Sequence, residues 1–454
     1  MTTTARTAHY LGGNDDIMLE LNKIYNMDCL EGMKQLDDNS IDCVVTDPPY
    51  GLKFMNKSWD YDVPSIDIWL ECFRILKPGA HLLCFGGTRT YHRMAVNVED
   101  GGFEIRDMIN WIYGSGFPKS LDVGKAFDKL QGNKREVVGE AKHPTSKDRT
   151  GNKSLYQAEE HLGSNYDLTK GNSSWEGWGT GLKPAHEPIV LARKPLAGTV
   201  VDNVLKYGVG GLNIDECRIS HNEPEKTTNR KQRSAVWNPS NCGFDSTQNI
   251  QASASQLGRF PANVIHDGSE EVVSLFPDRR TTWISTNHSN NRVGEFLGDL
   301  NHPGNQGFND NGSAARFFYC AKASKAERNK GCNEIEKQIG HNRFDKCKKC
   351  GGYILQNPDR PSACKCEHPV RQDNIMKGNY HPTVKPIALM EYLIKLVSVN
   401  KAVVLDPFIG SGTTAIACKQ LNRNYIGFEI SKEYCDIANK RLQSTQEPLD
   451  NWID

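Results

Sequence analysis

No sign of charge dominates this chain of 454 residues: 55 Lys and Arg meet 55 Asp and Glu, for a formal net charge of zero. A global positive field for nucleic acid is thereby excluded, and any such binding must come from local patches. Long apolar runs are missing too, and no window approaches the ~20 residues of a transmembrane helix. Residues 1–16 lack the basic-then-apolar order of a signal peptide. Of the 14 cysteines, four cluster and ten are scattered singly, as at Cys29, Cys43, Cys84 and Cys418, so a reducing cytoplasm is expected instead of a disulfide framework. There is no internal repeat and no persuasive nuclease motif. What remains, 37% hydrophobic and 24% charged, fits a soluble globular protein of two or three domains.

The most informative residues are Asp47-Pro48-Pro49-Tyr50. They follow Ile41-Asp42-Cys43-Val44-Val45-Thr46, an apolar run that reads as a buried parallel strand. The two prolines stop the strand and force a rigid extended turn at its carboxyl end, where ligands bind in open α/β sheets. A carboxylate and an aromatic ring on such a turn suit a planar base carrying an exocyclic amine. The bland reading is a loop with a surface Asp and a packed Tyr.

A second anchor is Val403-Val404-Leu405-Asp406-Pro407-Phe408-Ile409-Gly410-Ser411-Gly412-Thr413-Thr414. A strand ends at Asp406, and Gly410 and Gly412 allow a tight turn and close backbone approach to a ligand. Thr413 and Thr414 open a helical segment, Ala415 to Leu421. A further strand, Tyr425 to Phe428, ends in Glu429, and a helix spans roughly Lys432 to Gln443. The unit places a carboxylate for ribose hydroxyls without naming the cofactor, since position 415 is Ala where the nicotinamide fingerprint has its third Gly or Ala. A glycine turn needed only for packing is the plainer alternative.

Together, Asp-Pro-Pro-Tyr early and Asp-Pro-Phe-x-Gly-x-Gly-Thr-Thr late resemble the β class of DNA amino-methyltransferases, which use S-adenosylmethionine. His381-Pro382-Thr383-Val384-Lys385-Pro386, ahead of a helix from about Ile387 to Val397, matches a segment that helps hold the cofactor's methionine end. Asn26-Met27-Asp28-Cys29 matches the region that puts an acid near the cofactor's adenine, with Met27 where Gly is commoner. The matches cover roughly residues 20–130 and 375–443. Lys183-Pro184-Ala185-His186-Glu187-Pro188 and Arg316-Phe317-Phe318-Tyr319-Cys320-Ala321-Lys322 look like phage and bacterial members.

The resemblance implies that Asp47, Pro48, Pro49 and Tyr50 are catalytic. It places Asp28, Asp47, Thr383, Lys385, Asp406, Pro407, Phe408, Gly410, Gly412, Thr413 and Glu429 around the cofactor. Asp47 and the Pro48 carbonyl would accept the amine hydrogens, and Tyr50 would stack on a base extruded from the duplex. Asp at position 47 favours adenine N6 over cytosine N4 by the family's usage, without excluding cytosine. Glutamine and RNA methyltransferases share the Pro-Pro-Tyr grip but usually place the cofactor motif first. A non-catalytic zinc-bearing DNA-binding protein on the same scaffold is the alternative of another class. Double-stranded DNA is the expected partner, with a homodimer and a separate restriction endonuclease as further possibilities and no membrane.

The strand candidates are Leu21–Tyr25, Ile41–Thr46, His81–Phe85, Asp107–Ile112, Ile189–Ala192, Ala402–Leu405 and Tyr425–Phe428. Helical patterns between them, such as Ile66–Leu76 and Thr90–Val98, imply an α/β fold with a largely parallel sheet. The family implies a Rossmann-like seven-stranded sheet, circularly ordered, with the Asp47 and Asp406 strands as neighbours. Lys53, Trp59 and Phe85-Gly86-Gly87 would lie near the same mouth, although packing explains Trp59 equally well. The expected organisation is a tail (1–19), a catalytic half (20–133), recognition insertions (134–313, with core segments near 183–205 and 259–265) and a core strand with linker (314–340). A zinc-ribbon-like insertion (341–372), a cofactor half (373–445) and a tail (446–454) complete it.

In the middle region, Gly163-Ser164-Asn165-Tyr166 and Gly171-Asn172-Ser173-Ser174-Trp175-Glu176-Gly177-Trp178-Gly179 read as loops. The basic run with Arg230, Lys231 and Arg233 suits base edges and phosphates, or is a solvated loop. Cys347-x-x-Cys350 and Cys364-x-Cys366 suggest a closed structural Zn2+ site, with His368 able to replace one thiolate; unpaired thiols or a redox pair are the alternatives. Lys348 and Lys349 beside it would meet DNA phosphates or only solubilise the surface, and Lys53 would join them on DNA.

Overall fold

A computed structural model describes residues 19–52, 62–116, 118, 120–142, 165–219, 236–238, 243–245, 258–280, 311–321, 325–339, 344–346, 349, 353–355 and 374–446. The chain divides into two compact units, one of residues 1–109, 188–263 and 321–454, the other of 110–187 and 264–320.

The main sheet comprises β1 (Lys23–Tyr25), β2 (Ile41–Thr46), β3 (Leu76–Phe85), β4 (Glu104–Ile112), β5 (His186–Arg193), β6 (Val264–His266), β7 (Tyr319–Cys320), β8 (Val403–Asp406) and β9 (Asn424–Phe428). Its hydrogen-bonded order is β1-β9-β8-β2-β3-β5-β4-β6-β7. Strands β4 and β5 each contribute residues to both units, and in the second unit β6 pairs in parallel with the end of β4 and with β7. The ladder thus has nine strands where seven were expected. The two additions, at Val264–His266 and Tyr319–Cys320, are only three and two residues long. Within the largely parallel order, β5 runs antiparallel to β3, with Leu83 opposite Leu191. Alternation of apolar residues carries no information on strand direction.

The expected neighbours do meet. Strand β8 pairs in parallel with β2, Leu405 opposite Val44, and β9 continues the parallel order with Gly427 opposite Asp406. Cys43, Val44, Val45, Val404 and Leu405 are all fully buried, as befits strands covered on both faces. Helix α2 (Ile66–Ile75) turns Trp69, Cys72 and Ile75 inward at helical spacing. Helix α3 spans Tyr91–Asp100, and α7 (Ile387–Val397) buries most of its surface. Helices α8 (Thr413–Gln420) and α9 (Lys432–Gln443) flank β9 in sequence.

In the second unit, helix α4 (Val123–Gln131) precedes a hairpin of Glu136–Lys142 and Asn165–Lys170. Asn165 and Tyr166, read as loop from sequence, therefore open a strand. Nine cysteines among the described residues are free thiols, and eight of them are buried. No helix among the described residues is long and apolar enough to cross a membrane.

Candidate active site

Strands β2 and β8 end side by side, so the turns that follow them share one edge of the first unit's sheet. Thr46, the last residue of β2, donates its hydroxyl to Asp406 Oδ1 at 2.6 Å. Thr414 donates to Oδ2 at 2.5 Å, and the Phe408 amide to Oδ1 at 3.0 Å. Asp406 is 2% exposed, and that burial, opposed by the three donors, lifts its carboxyl to about pH 6. This raised value favours the folded state fully below the ordinary carboxyl range, and the benefit is lost as pH rises through about 6. Asp406→Asn, neutral throughout, should therefore gain in unfolding midpoint relative to the parent between pH 4 and pH 7. Parallel thermal melts with no such trend would refute the titration.

Beyond Asp406 the chain turns through Gly410 (φ +52°) and Gly412 (φ +81°), conformations that L side chains rarely adopt. A Cβ on Gly410 would lie 2.8 Å from His381 Nε2, and one on Gly412 2.9 Å from the Ala438 Cβ. Arg441 holds the turn from α9, with Nη1 donating to the Ser411 carbonyl at 2.6 Å, Ser411 Oγ at 3.0 Å and Thr413 Oγ1 at 3.1 Å. Burial presses its guanidinium down to about 10. Pro407 is buried, and Phe408 packs half-buried against the core. Glu429, just after β9, is half-buried. Burial raises its carboxyl, while Ser431 N donates to Oε1 at 2.7 Å. Asp28 is exposed and occupied locally, accepting from Leu30 N (2.9 Å) and Glu31 N (3.3 Å) as the N-cap of α1 (Cys29–Met33).

On the β2 side, Asp47 and Tyr50 meet a third residue. Tyr50 donates its hydroxyl to Asp47 Oδ1 at 2.7 Å, and Lys385 Nζ reaches Asp47 Oδ2 at 2.7 Å and the Tyr50 oxygen at 3.1 Å. The Lys385 side chain is 8% exposed and that of Asp47 17%, so this ion pair is shielded from water. Thr90 fixes the turn from behind by donating to the Tyr50 carbonyl at 2.6 Å. Gly87 packs closely there: a Cβ would sit 3.2 Å from the Tyr50 ring, tighter than an ordinary van der Waals contact.

The segment carrying Lys385 is itself braced. His381 is buried, and burial lowers its imidazole to about 4; its Nδ1 donates to the Thr383 carbonyl at 2.7 Å. Thr383 is exposed. From α6 (Lys325–Asn329), Arg328 donates to the His381 carbonyl at 2.7 Å, and Glu327 accepts the Ile387 amide that opens α7.

A family model for DNA methylases, N6_N4_Mtase, matches residues 41–440. The chain belongs to that family. This methylase is 22% identical over 463 residues to the type II methyltransferase M.HindIII of Haemophilus influenzae, covering 92% of this chain and 94% of that one. It is 55% identical over 64 residues to the orphan methyltransferase M.BamHII of Bacillus amyloliquefaciens, which covers 14% of this chain and 24% of that one. Among solved structures, the M1.HpyAVI-SAM complex aligns over 92% of this chain and 98% of its own, at 16% identity and a TM-score of 0.34. The cytosine-N4-specific PvuII DNA methyltransferase aligns over 92% and 85%, at 13% identity and a TM-score of 0.35.

Sequence reasoning about the methylase missed Thr46, Thr414, Glu327, Arg328 and Arg441. Arg441 had left a signal: it stands three residues after Ala438 and four after Ile437, on the buried stripe of α9, where a charge has no place unless it holds something. Lys53, Arg230, Lys231, Arg233, Lys348, Trp59 and the cysteines Cys347, Cys350, Cys364 and Cys366 lie outside the described residues, and Lys349 is exposed in a turn.

Proposed function

We propose that the methylase transfers a methyl group from S-adenosylmethionine to the N6 amine of an adenine rotated out of DNA. The observation that carries this reading is the Asp47–Tyr50–Lys385 cluster, joined to the Asp406 turn by one hydrogen bond from Thr46. Gly410, Gly412 and Glu429 fit such a cofactor: two glycines bare the backbone of the turn that Asp406 braces, and a half-buried carboxylate follows the next strand, placed for ribose hydroxyls. When bound, the cofactor supplies a methyl group on a sulfonium, activated for in-line displacement.

The protein's own residues address the nucleophile. The N6 lone pair is delocalised into the purine ring, and an acceptor for the amino hydrogens favours a more tetrahedral nitrogen. An ionised carboxylate has about four lone-pair positions, so Asp47 can take an amino hydrogen beside its bonds to Tyr50 and Lys385. The nitrogen–methyl bond forms as the sulfur–methyl bond breaks, and the amine sheds its proton towards Asp47 as it becomes acidic. Tyr50, anchored at its hydroxyl and its carbonyl, offers a ring of fixed orientation for the base to stack on.

Mapping modified bases in genomic DNA from a methylation-free host expressing the chain tests the acceptor. N6-methyladenine in a defined context is expected, and N4-methylcytosine alone would overturn the choice of base while keeping the reaction. For the insertion, Cys347-x-x-Cys350 and Cys364-x-Cys366 propose a structural Zn2+ site on sequence pattern alone. Protein purified without chelators should carry close to one zinc per chain, and Cys347→Ser should lose most of it; zinc-free parent protein would refute the site.

A further inference from the structure

The second unit holds two tryptophans where water reaches them. Trp175 is 42% exposed and Trp178 59%, their rings 5.2 Å apart and nearly perpendicular at 75°. A large indole left this open loses the burial that ordinarily stabilises it. A disordered loop would explain such exposure, but this loop is fixed at both ends.

Inside it, Arg135 grips Glu176 with two parallel bonds, Nη2 to Oε1 at 2.7 Å and Nη1 to Oε2 at 2.8 Å, and also pairs with Asp128, whose side chain is 3% exposed. The backbone packs closely against both acids: a Cβ on Gly124 would lie 2.7 Å from Glu176 Oε2, and one on Gly171 2.1 Å from Asp128 Oδ2. At its end, the Trp178 carbonyl accepts the Val123 amide at 3.0 Å, tying the loop to the start of α4. Ser120 Oγ accepts the Thr180 and Gly181 amides at 2.8 and 3.2 Å. The scaffold holds the indoles outward.

The exposed charges of α4 and this loop, from position 122 to 134 and from 171 to 183, are Lys125, Lys129, Lys134 and Lys183 against Asp122. Lys125 lies 3.6 Å from Asp122, and the exposed charge of these two stretches is net positive in a chain of zero net charge. We infer that Trp175 and Trp178 form a stacking platform for unpaired bases of the DNA substrate, with the neighbouring lysines on its phosphates. Aromatic faces and basic groups together are how proteins grip nucleic acid whose bases have left the duplex stack. Aliphatic protein surfaces gain nothing from the lysines. The inference rests on the reading that the reaction opens the duplex.

The test uses the full chain and a single-stranded oligothymidylate of about twenty residues, longer than the ~4–16 nucleotides of one single-strand site. Thymine has no exocyclic amine, so its binding reports on the platform and not on amine capture at Asp47. Trp175→Ala/Trp178→Ala is expected to weaken binding by about tenfold or more, from stacking losses of this class. Trp175→Phe/Trp178→Phe should retain most of the affinity, and wild-type indole fluorescence should be quenched on binding. Lys125→Ala/Lys129→Ala should flatten the dependence of affinity on salt. Affinity within twofold of wild type in the alanine pair, or a change in self-association without a change in DNA affinity, overturns the platform. Should the alanine pair misfold, unquenched wild-type fluorescence with an unchanged salt slope in the lysine variant overturns it equally. Failure of methyl transfer in the wild-type chain would be a separate result, against the proposed reaction.

Discussion

Asp47→Ala is expected to slow methyl transfer by about 10²–10⁴-fold, the range for removing a group that manages a proton in the transition state, with cofactor affinity retained. The variant has a second consequence because of what surrounds the carboxylate. Lys385 is 8% exposed and has Asp47 as a partner at 2.7 Å, so the alanine leaves a buried ammonium without that counter-ion. Breaking one side of a buried pair costs about 3–5 kcal/mol, an upper bound here because the Tyr50 oxygen remains within 3.1 Å of the same nitrogen. Stability and activity should therefore fall together, and a second variant separates them. In Asp47→Ala/Lys385→Met the ammonium is removed along with its counter-ion, so stability should return towards the parent while activity does not. A folded Asp47→Ala enzyme with near-parental turnover and normal cofactor binding would sink the assignment.

Lys385→Met alone gives the other large effect. Resemblance places the segment 381–386 at the methionine end of the cofactor, whereas the structure directs the Lys385 ammonium onto Asp47 Oδ2 and the Tyr50 hydroxyl, with the Phe85 ring 4.8 Å away. That geometry supports the proposal that Lys385 orients the carboxylate. Misplacing a reacting group by about 1 Å costs on the order of 10²-fold, so kcat should drop by about that factor while cofactor Kd changes by less than about threefold. Methionine preserves the buried stem, which keeps packing loss small. Arginine should rescue poorly, since its planar fork cannot replace a compact ammonium in this enclosed position. A tenfold or larger rise in cofactor Kd with kcat intact would return Lys385 to the cofactor.

The parts of the site legible in sequence were those where one segment states its own geometry. Apolar runs closed by Asp47-Pro48-Pro49 and by Asp406-Pro407 marked β2 and β8, and Gly410 and Gly412 take the positive φ that a tight turn demands. Helices α7 and α9 appear with the expected bounds because their periodicity is uninterrupted. Illegible were relations between distant residues. Nothing near Lys385 announces Asp47, 338 positions earlier, and Thr46 and Thr414 are ordinary strand-end and helix-start residues until Asp406 stands between them. The Trp175–Trp178 stretch reads as a loop because Gly, Asn and Ser dominate it, and it is one. Its order comes from Arg135, some forty residues earlier at a separation of 41 from Glu176, and composition alone cannot register such a partner.

The pairing of β2 with β8 also governs the chain as it is made. Asp42 Oδ2 accepts the Val403 amide from 361 residues away, so β2 leaves the ribosome long before its neighbour exists. Throughout that interval an apolar strand edge stands open, a template for pairing with another nascent chain. Such distant closure slows folding as well. Synthesis of this protein is therefore expected to pass through a long aggregation-prone stage that ends when Val403 to Phe428 emerge. A permuted gene that begins with the segment from residue 374 would shorten it.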